Sequence, residues 1–256
     1  MKSNYGRRGA NVGLRVGSRL VSTTYGRTSN AVAASKSVDR RPFLVDSEGE
    51  QLVAQILDID PGVVAFRAQG VTVDLVEGTL LQTVEQRNAA RTKYRQVAGP
   101  CLYTVDYVAD LTGSRQCALE VKLDKFVGDD DYHVKVNLAR SILSRYGCDL
   151  WVVIIPGDQR CPVWTNIPLI CQALLHRDLW PSSETLDEID RLSAAGAVKA
   201  RDFLRPLGLG PNMLPIMVAS GALSADLLEG HLRGDSKVEA AHGDISHLQL
   251  IERLKK

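Results

Sequence analysis

The sequence predicts an α/β domain built on a mixed β-sheet, followed by a mainly helical region. Three observations support this prediction. Residues 42–156 read in the order helix, three or four strands, helix, strand. Both helical segments space their apolar residues as amphipathic helices do. The continuous apolar run DLWVVIIP at 149–156 is typical of a central strand covered on both faces.

The first half of this domain is expected to begin near Pro42. The segment DSEGE at 46–50 predicts a helix start, and Asp60-Pro61-Gly62 predicts its end. Glu50 falls at the edge of the inward face of this helix. Two strands are expected next, over residues 63–66 and 71–76. Residues 79–98 fit either a helix or an inserted loop.

The second half opens with two strand-like runs, YTVDYVAD at 103–110 and ALEVKLDK at 118–125. Residues 128–131 then predict a loop and cap for a helix over 132–146, which Gly147 ends. The inward face of that helix is predicted to carry three apolar residues at helical spacing, Val134, Leu138 and Ile142.

Residues 165–256 are predicted to form a small, mainly helical domain. A capping box at 185–188, a helix over 212–220 closed by Gly221, and a third helix from 225 capped by Ser224 give the outline of a winged helix. The third helix is acidic, which favours contact with protein rather than with DNA. Residues 248–256 fit a short amphipathic docking helix.

The charge is distributed unevenly along the chain although the net formal charge is only +1. Residues 1–41 carry nine Lys or Arg against Asp39 alone, whereas 42–164 have a net charge of −5 and 165–256 of −2. The sequence therefore predicts a basic flexible arm over 1–41, which suits a polyanion such as DNA or RNA. The other interpretation is a solvated leader without a specific role.

Composition excludes several classes of protein. No run approaches the roughly 20 apolar residues of a membrane span, so a cytoplasmic protein without a membrane partner is expected. The five cysteines are odd in number and contain no CxxC pair, which argues against a disulfide framework and a zinc ribbon.

The acids within the two strand-like runs are the strongest indication of chemistry. Alternation places Asp106 on the face of Val108, and Glu120 on the same face as Lys122. Two buried carboxylates on neighbouring strands repel unless a hard cation such as Mg²⁺ lies between them. Lys122 beside them would orient a water molecule or neutralise phosphate charge. The alternative is an exposed strand face that carries an ordinary Glu–Lys pair.

The motifs TVD at 104–106 and LEVK at 119–122, with the helix and strand that follow, resemble the PD-(D/E)XK restriction-endonuclease fold. Over residues 42–156 the order of SEGEQLVAQILDIDPGVVAFRAQ, YTVDYVAD and ALEVK is similar to TnsA, the endonuclease subunit of heteromeric bacterial transposases. Thr-Val-Asp stands where that family has Thr-Pro-Asp, and Gly70 stands where it usually has proline.

The resemblance implies a catalytic set of Glu50, Asp106, Glu120 and Lys122. It further implies that Glu50, Asp106, Glu120 and the Val121 carbonyl hold Mg²⁺, with Mn²⁺ as a substitute, and that Lys122 positions the water. Glu48 is the alternative to Glu50. The implied activity is hydrolysis of the 5′ strand at transposon ends, in partnership with a DDE-type transposase and an AAA+ ATPase regulator.

Two other functions stay open: a different nuclease of this fold, such as a restriction or junction-resolving enzyme, and a non-catalytic DNA-binding scaffold. Basic residues of the arm and of the 79–98 segment are the predicted DNA contacts: Arg7, Arg8, Arg15, Arg19, Arg40, Arg41, Arg87, Arg91, Lys93 and Arg95.

Overall fold

A computed structural model describes residues 30–126 and 128–256 as a mixed α/β structure. The strands among these residues are β1 Asn30–Val32, β2 Phe43–Val45, β3 Val63–Ala68, β4 Thr72–Asp74, β5 Thr79–Leu81, β6 Leu102–Thr104, β7 Tyr107–Leu111, β8 Arg115–Leu123, β9 Cys148–Ile155, β10 Leu223–Ser224 and β11 Glu239–Ala240. The helices are α1 Glu48–Ile59, α2 Val84–Lys93, α3 Asp130–Arg145, α4 Pro162–Ala173, α5 Ser183–Ala194, α6 Ala200–Leu204, α7 Leu214–Ala219 and α8 Ile251–Leu254.

The main sheet has the order β3-β7-β8-β9, in which β3, β7 and β8 are antiparallel and β9 runs parallel to β8. A second, antiparallel sheet has the order β5-β4-β6. The two sheets meet where β6 ends at Thr104 and β7 begins at Tyr107. A mixed sheet flanked by helices confirms the α/β prediction.

Helix α1 confirms the first predicted helix and covers one face of the main sheet. The Ser47 hydroxyl accepts from the Glu50 N–H at its start, as an N-cap does. The buried side of α1 packs in one apolar cluster with Phe66, Tyr107 and Leu119 of the sheet. Because α1 is fixed at its first turn, the position of Glu50 is fixed as well.

The opposite face of the sheet is covered by α3, in a phase that differs from the prediction. Val134 is 62% exposed and Leu138 42% exposed, whereas Val136, Ala139 and Leu143 are buried with Ile142. Small Ala139 allows the helix to approach the sheet closely, and this contact selects the helical face. The apolar spacing alone was right for Ile142 and wrong for Val134 and Leu138.

Strand β9 lies at the edge of the main sheet, which corrects the prediction of a central strand. Its free edge is covered by the end of the chain: Lys256 N–H donates to the Val152 carbonyl (2.9 Å), and Val153 bridges to Lys255. This pairing satisfies backbone groups of β9 that would otherwise be exposed at the edge of the sheet. The apolar run reflects coverage of β9 by both helical layers and by this segment.

Residues 30–41 belong to the folded structure, so its described part begins before the expected Pro42. Strand β1 pairs with β2, from Asn30 opposite Val45 to Val32 opposite Phe43. Val32 is buried, and Ser37 bridges to Phe66 of β3. The apolar side chain of Val32 explains the packing, although the basic composition around it indicated a flexible arm.

The helical C-terminal region shares one apolar cluster with α1 and the sheet, and the expected boundary at 164/165 falls inside α4. The buried Asn166 side chain donates to the carbonyls of Leu227 (2.9 Å) and Gly230 (2.7 Å). These bonds hold residues 225–232 in a turn, where the sequence had predicted the third helix of a winged helix.

Two further details of the C-terminal region differ from the predictions. Helix α5 is capped by Ser182 rather than by Thr185. The Asp60 carboxylate, 1% exposed, accepts from the backbone N–H groups of Leu250 and Ile251 (both 2.9 Å). The apolar side of 248–256 is therefore covered by the chain's own core. None of the helices in the described ranges is long and apolar enough to cross a membrane.

Candidate active site

Asp106 lies in the two-residue break between β6 and β7, where the chain passes from one sheet to the other. Its N–H donates to the Leu119 carbonyl (2.9 Å), and its own carbonyl accepts from the Gln69 N–H (2.7 Å). Its Oδ2 accepts from the Val121 N–H (2.8 Å). The Asp106 carboxylate thus accepts a β8 hydrogen bond that a backbone carbonyl of a neighbouring strand would otherwise accept. Asp106 is only 7% exposed.

Glu120 and Lys122 lie on β8 next to this break, on the same face as predicted. Glu120 is 5% exposed; its Oε2 accepts from the Tyr103 hydroxyl (2.7 Å) and its Oε1 from the Lys122 ammonium. Lys122 Nζ also lies 5.1 Å from the centre of the Phe126 ring and 5.3 Å from that of Tyr132. Burial of Glu120 excludes the alternative of an ordinary exposed Glu–Lys pair.

Glu50 enters from α1, on the other side of the break. Its Oε1 accepts from the Ser47 hydroxyl (3.0 Å) and its Oε2 from the Asp46 N–H (3.1 Å). The Tyr107 hydroxyl donates to the Glu50 carbonyl (2.8 Å), which ties α1 to the residue after Asp106. Glu48 is exposed and its carboxylate accepts from Gln159, so Glu50 is the glutamate that faces the site.

The charges of Glu120 and Glu50 are close enough to oppose the ionisation of Asp106. Burial raises the pKa of Asp106 well above its ordinary value, and the charges of Glu120 and Glu50 raise it further. The hydrogen bond from Val121 and the charge of Lys122 act in the opposite direction. Negative charge therefore exceeds positive charge in a place that water reaches poorly.

Two tyrosines complete the wall of the site. Burial, and then the charge of Glu120, raise the pKa of Tyr103, so this hydroxyl is a permanent donor to the carboxylate. The same causes raise the pKa of Tyr132 to about 12. Its hydroxyl is buried and has no hydrogen-bond partner within the described part of the chain.

The donor chemistry fits a hard divalent cation. Among residues 30–126 and 128–256, no group of three or more His, Cys, Asp or Glu side chains is arranged to hold a metal ion. Mg²⁺, however, needs only one or two carboxylates and completes its shell with water and phosphate oxygens. Asp106 and Glu120 supply such a pair. The Val121 N–H points to the edge of β8 where Asp106 lies, and in an extended strand the carbonyl of the same residue points to the same edge.

The predicted DNA contacts are distributed differently. Arg40, Arg41 and Arg95 are exposed, as expected, and Arg91 is half-buried. Arg87 is only 6% exposed, and Lys93 pairs with Glu77, so neither side chain projects freely from α2 as predicted. The Tyr94 hydroxyl, at the end of α2, donates to the Asp74 carboxylate of β4 (2.9 Å) and ties this end of the helix to the second sheet. Four predicted contacts lie outside the described residues: Arg7, Arg8, Arg15 and Arg19.

Sequence reasoning missed Tyr103, Phe126 and Tyr132 as parts of the site. Tyr103 lies in the same run as Asp106, but β6 pairs with β4 and not with β8, so no alternation rule connects it with Glu120. The aromatic residues just after β8 and at the start of α3 were the available signal, because rings near a lysine often bind its charge.

No protein-family model matches this chain, and neither does any curated protein.

Proposed function

We propose that this protein is a metal-dependent DNA endonuclease of the PD-(D/E)XK type, similar to the TnsA subunit of heteromeric transposases. One observation carries the proposal: Asp106, Glu120 and Lys122 meet in a buried polar site at the junction of two sheets. A structural role alone does not account for two buried carboxylates with a single lysine, because that arrangement costs stability. Such strained polar clusters are typical of catalytic sites.

The residues take distinct roles in the proposed reaction. Asp106 and Glu120 would hold Mg²⁺, which would supply a nucleophilic water and stabilise charge on the phosphate. Lys122 is held by Glu120 and by the Phe126 and Tyr132 rings, so its ammonium is fixed beside the carboxylates. There it orients the attacking water and offsets the developing charge. Glu50 as a third ligand stays a prediction, since its oxygens now bond to Ser47 and Asp46.

The test is strand cleavage of duplex DNA with Mg²⁺ or Mn²⁺ by Asp106→Ala and Lys122→Ala. We expect both substitutions to abolish cleavage while circular dichroism retains the spectrum of the fold. Asp110→Asn on the same strand as Tyr107, and Lys125→Ala just after β8, are matched controls outside the site. Cleavage by Asp106→Ala at the wild-type rate would refute the site, and inactivity of the wild-type protein in every assay would favour a non-catalytic scaffold.

The proposed partners are a DDE-type transposase that reads the transposon ends and an AAA+ ATPase regulator. Cleavage of end-containing and scrambled duplexes, with and without the transposase, tests this part. We expect poor or unselective cutting by the protein alone, because the core around the site carries a net charge of −5 over 42–164. Efficient and sequence-specific cutting without the transposase would instead favour a restriction-type nuclease.

A docking surface for these partners in residues 165–256 cannot be mapped by truncation of the chain. A chain that stops near residue 164 would end inside α4 and would lose the segment that bonds to Asp60. Surface substitutions are the sound alternative. Trp180 and Leu175, which is 80% exposed, are suitable positions in the helical region because neither is part of the buried core.

A further inference from the structure

A second concave site lies on the main sheet, between β3, α2 and the end of α3. It is a cleft of about 670 Å³, within the range of small-molecule sites, which is roughly 300 to 1,000 Å³. Its lining does not include Asp106, Glu120 or Lys122. The cleft is therefore separate from the candidate active site.

Three arginines line this cleft: Arg41 before β2, Arg67 on β3 and Arg87 on α2. Among the lining residues that the structure describes, Asp39 is the single acid, so arginines outnumber acids there. A guanidinium group can hold a phosphate with paired hydrogen bonds, and two of them from different parts of the chain can share one phosphate. Arg41 and Arg67 are exposed and can reach a ligand, whereas Arg87 is only 6% exposed and forms part of the wall.

The start of α2 does not provide the anion contact itself. Thr83 lines the cleft, but its hydroxyl accepts from the Gln86 N–H, and the Gln86 side chain accepts from the N–H groups of Gln82 and Thr83. The helix is thus capped by its own residues. Recognition of an anion is left to the arginines.

The remaining lining suits a planar, partly polar group of larger size than phosphate. Val71, Leu80, Val108 and Leu143 form an apolar wall, and the half-exposed Tyr146 lies at the rim. Amide side chains from Gln82 and Gln116 also line the space; Gln116 Nε2 donates to Asp110 (2.8 Å), so the Gln116 oxygen is the atom that can accept from the edge of a base. A phosphate clamp beside an apolar wall with amides is the chemistry that a nucleotide requires.

We infer that this cleft binds a single nucleotide, with the phosphate at Arg41 and Arg67 and the base against the apolar wall. The nucleotide is either free or part of a single nucleic-acid strand, because a base inside a duplex is paired and stacked and cannot lie against the wall. The inference goes beyond the proposed cleavage and does not require it.

The experiment is titration calorimetry on the full-length protein in the presence of a metal chelator, so that cleavage plays no part. The ligands are deoxynucleoside monophosphates, inorganic phosphate, and a short single-stranded oligonucleotide. We expect one site per chain for the monophosphate or for the oligonucleotide, and the better ligand identifies the source. Equal binding of inorganic phosphate would overturn the nucleotide assignment.

Two exposed cleft arginines provide the charge variants. Arg41→Gln and Arg67→Gln are each expected to weaken binding roughly tenfold or more, since hydrogen bonds to charged groups are among the stronger ones. The matched control is Arg205→Gln, which removes an exposed arginine outside the cleft. An equal loss with the control would show that the net charge alone attracts the ligand, and would overturn the inference.

A variant that fills the cleft without a change of charge tests whether the ligand binds there. Val84 is 52% exposed and lines the cleft, so Val84→Trp is expected to fill it without disturbing the core and to abolish binding. Val64→Trp places the same ring at an exposed position of β3 outside the cleft and should leave binding unchanged. Unimpaired binding by Val84→Trp would refute the location. Intact binding with no cleavage activity would refute the proposed function alone.

Discussion

Replacement of Asp106 by asparagine is expected to make the metal-free protein more stable. Burial and two neighbouring carboxylates raise the pKa of Asp106, while Val121 donates the backbone hydrogen bond to it. An amide oxygen can accept the same hydrogen bond without the charge. The gain at neutral pH is expected to be about 1 to 3 kcal/mol, the usual cost of a poorly compensated buried polar group.

The sign of the pH dependence follows from the raised pKa. Over the range between the ordinary pKa of an aspartate and the raised value, folded wild-type protein binds more protons than unfolded protein does. Its stability therefore falls as pH rises through that range. Asp106→Asn lacks this fall, so the two stability curves should converge at low pH and separate towards neutral pH.

Metal should reverse the order of the two proteins. A ligand that binds only the folded state at 100 times its dissociation constant adds about 2.7 kcal/mol. For a chain of this size that corresponds to about 5 to 10 °C in Tm. We expect Mg²⁺ to stabilise the wild type by this amount and to leave Asp106→Asn nearly unchanged.

Thermal and denaturant unfolding, each with chelator and with Mg²⁺, measure both effects without any cleavage assay. Asp110→Asn on β7 is the control for loss of one carboxylate outside the site. An equal response of wild type and Asp106→Asn to Mg²⁺ would show that Asp106 does not bind the cation. A less stable Asp106→Asn at neutral pH in chelator would show that the carboxylate is needed for folding.

Three further outcomes are expected. Tyr132→Phe should keep the ring beside Lys122 and leave the free energy of unfolding unchanged or higher. The Tyr132 hydroxyl is buried without a hydrogen-bond partner in the described part of the chain, and if it contacts the substrate, its loss should slow cleavage about tenfold in single-turnover assays. Burial lowers the pKa of His247, so stability should fall as pH drops below about 6.5, and His247→Gln but not His176→Gln should remove this fall in denaturant titrations. Removal of residues 1–29, which carry six Lys or Arg and no acid, should flatten the salt dependence of DNA binding measured by anisotropy, and an unchanged slope would contradict a phosphate contact.

The sequence predicted helices and strands well where the spacing of apolar and polar residues within one segment decides which residues are buried. The start and end of α1 follow from Ser47 and from Asp60-Pro61, and both are confirmed. The placement of Glu120 and Lys122 on one face follows from strand alternation, and the contact between their side chains agrees with it. These features depend on residues a few positions apart, which the sequence shows directly.

The errors share a physical cause: in each case a segment bonds to residues far away in the sequence, and those bonds decide its structure. Residues 225–232 have helical spacing, but Asn166 binds the carbonyls of Leu227 and Gly230 and stabilises a turn. The 103–110 run reads as one strand, but it breaks at Asp106 because its first part pairs with β4 and its second with β3 and β8. Neither competition is visible in local periodicity.

The break at Asp106 lies between the candidate active site and the cleft. Through Asp106 and Tyr107 the chain bonds to Leu119 of β8, to the Glu50 carbonyl of α1 and to the Gln69 N–H. Gln69 has a φ of +47°, an unfavourable conformation for a side-chain-bearing residue, and it lines the nucleotide cleft. Its bond to the Asp106 carbonyl (2.7 Å) helps to hold this conformation in place. Gln69 therefore belongs to the lining of the cleft and is joined to the backbone of Asp106 by one hydrogen bond.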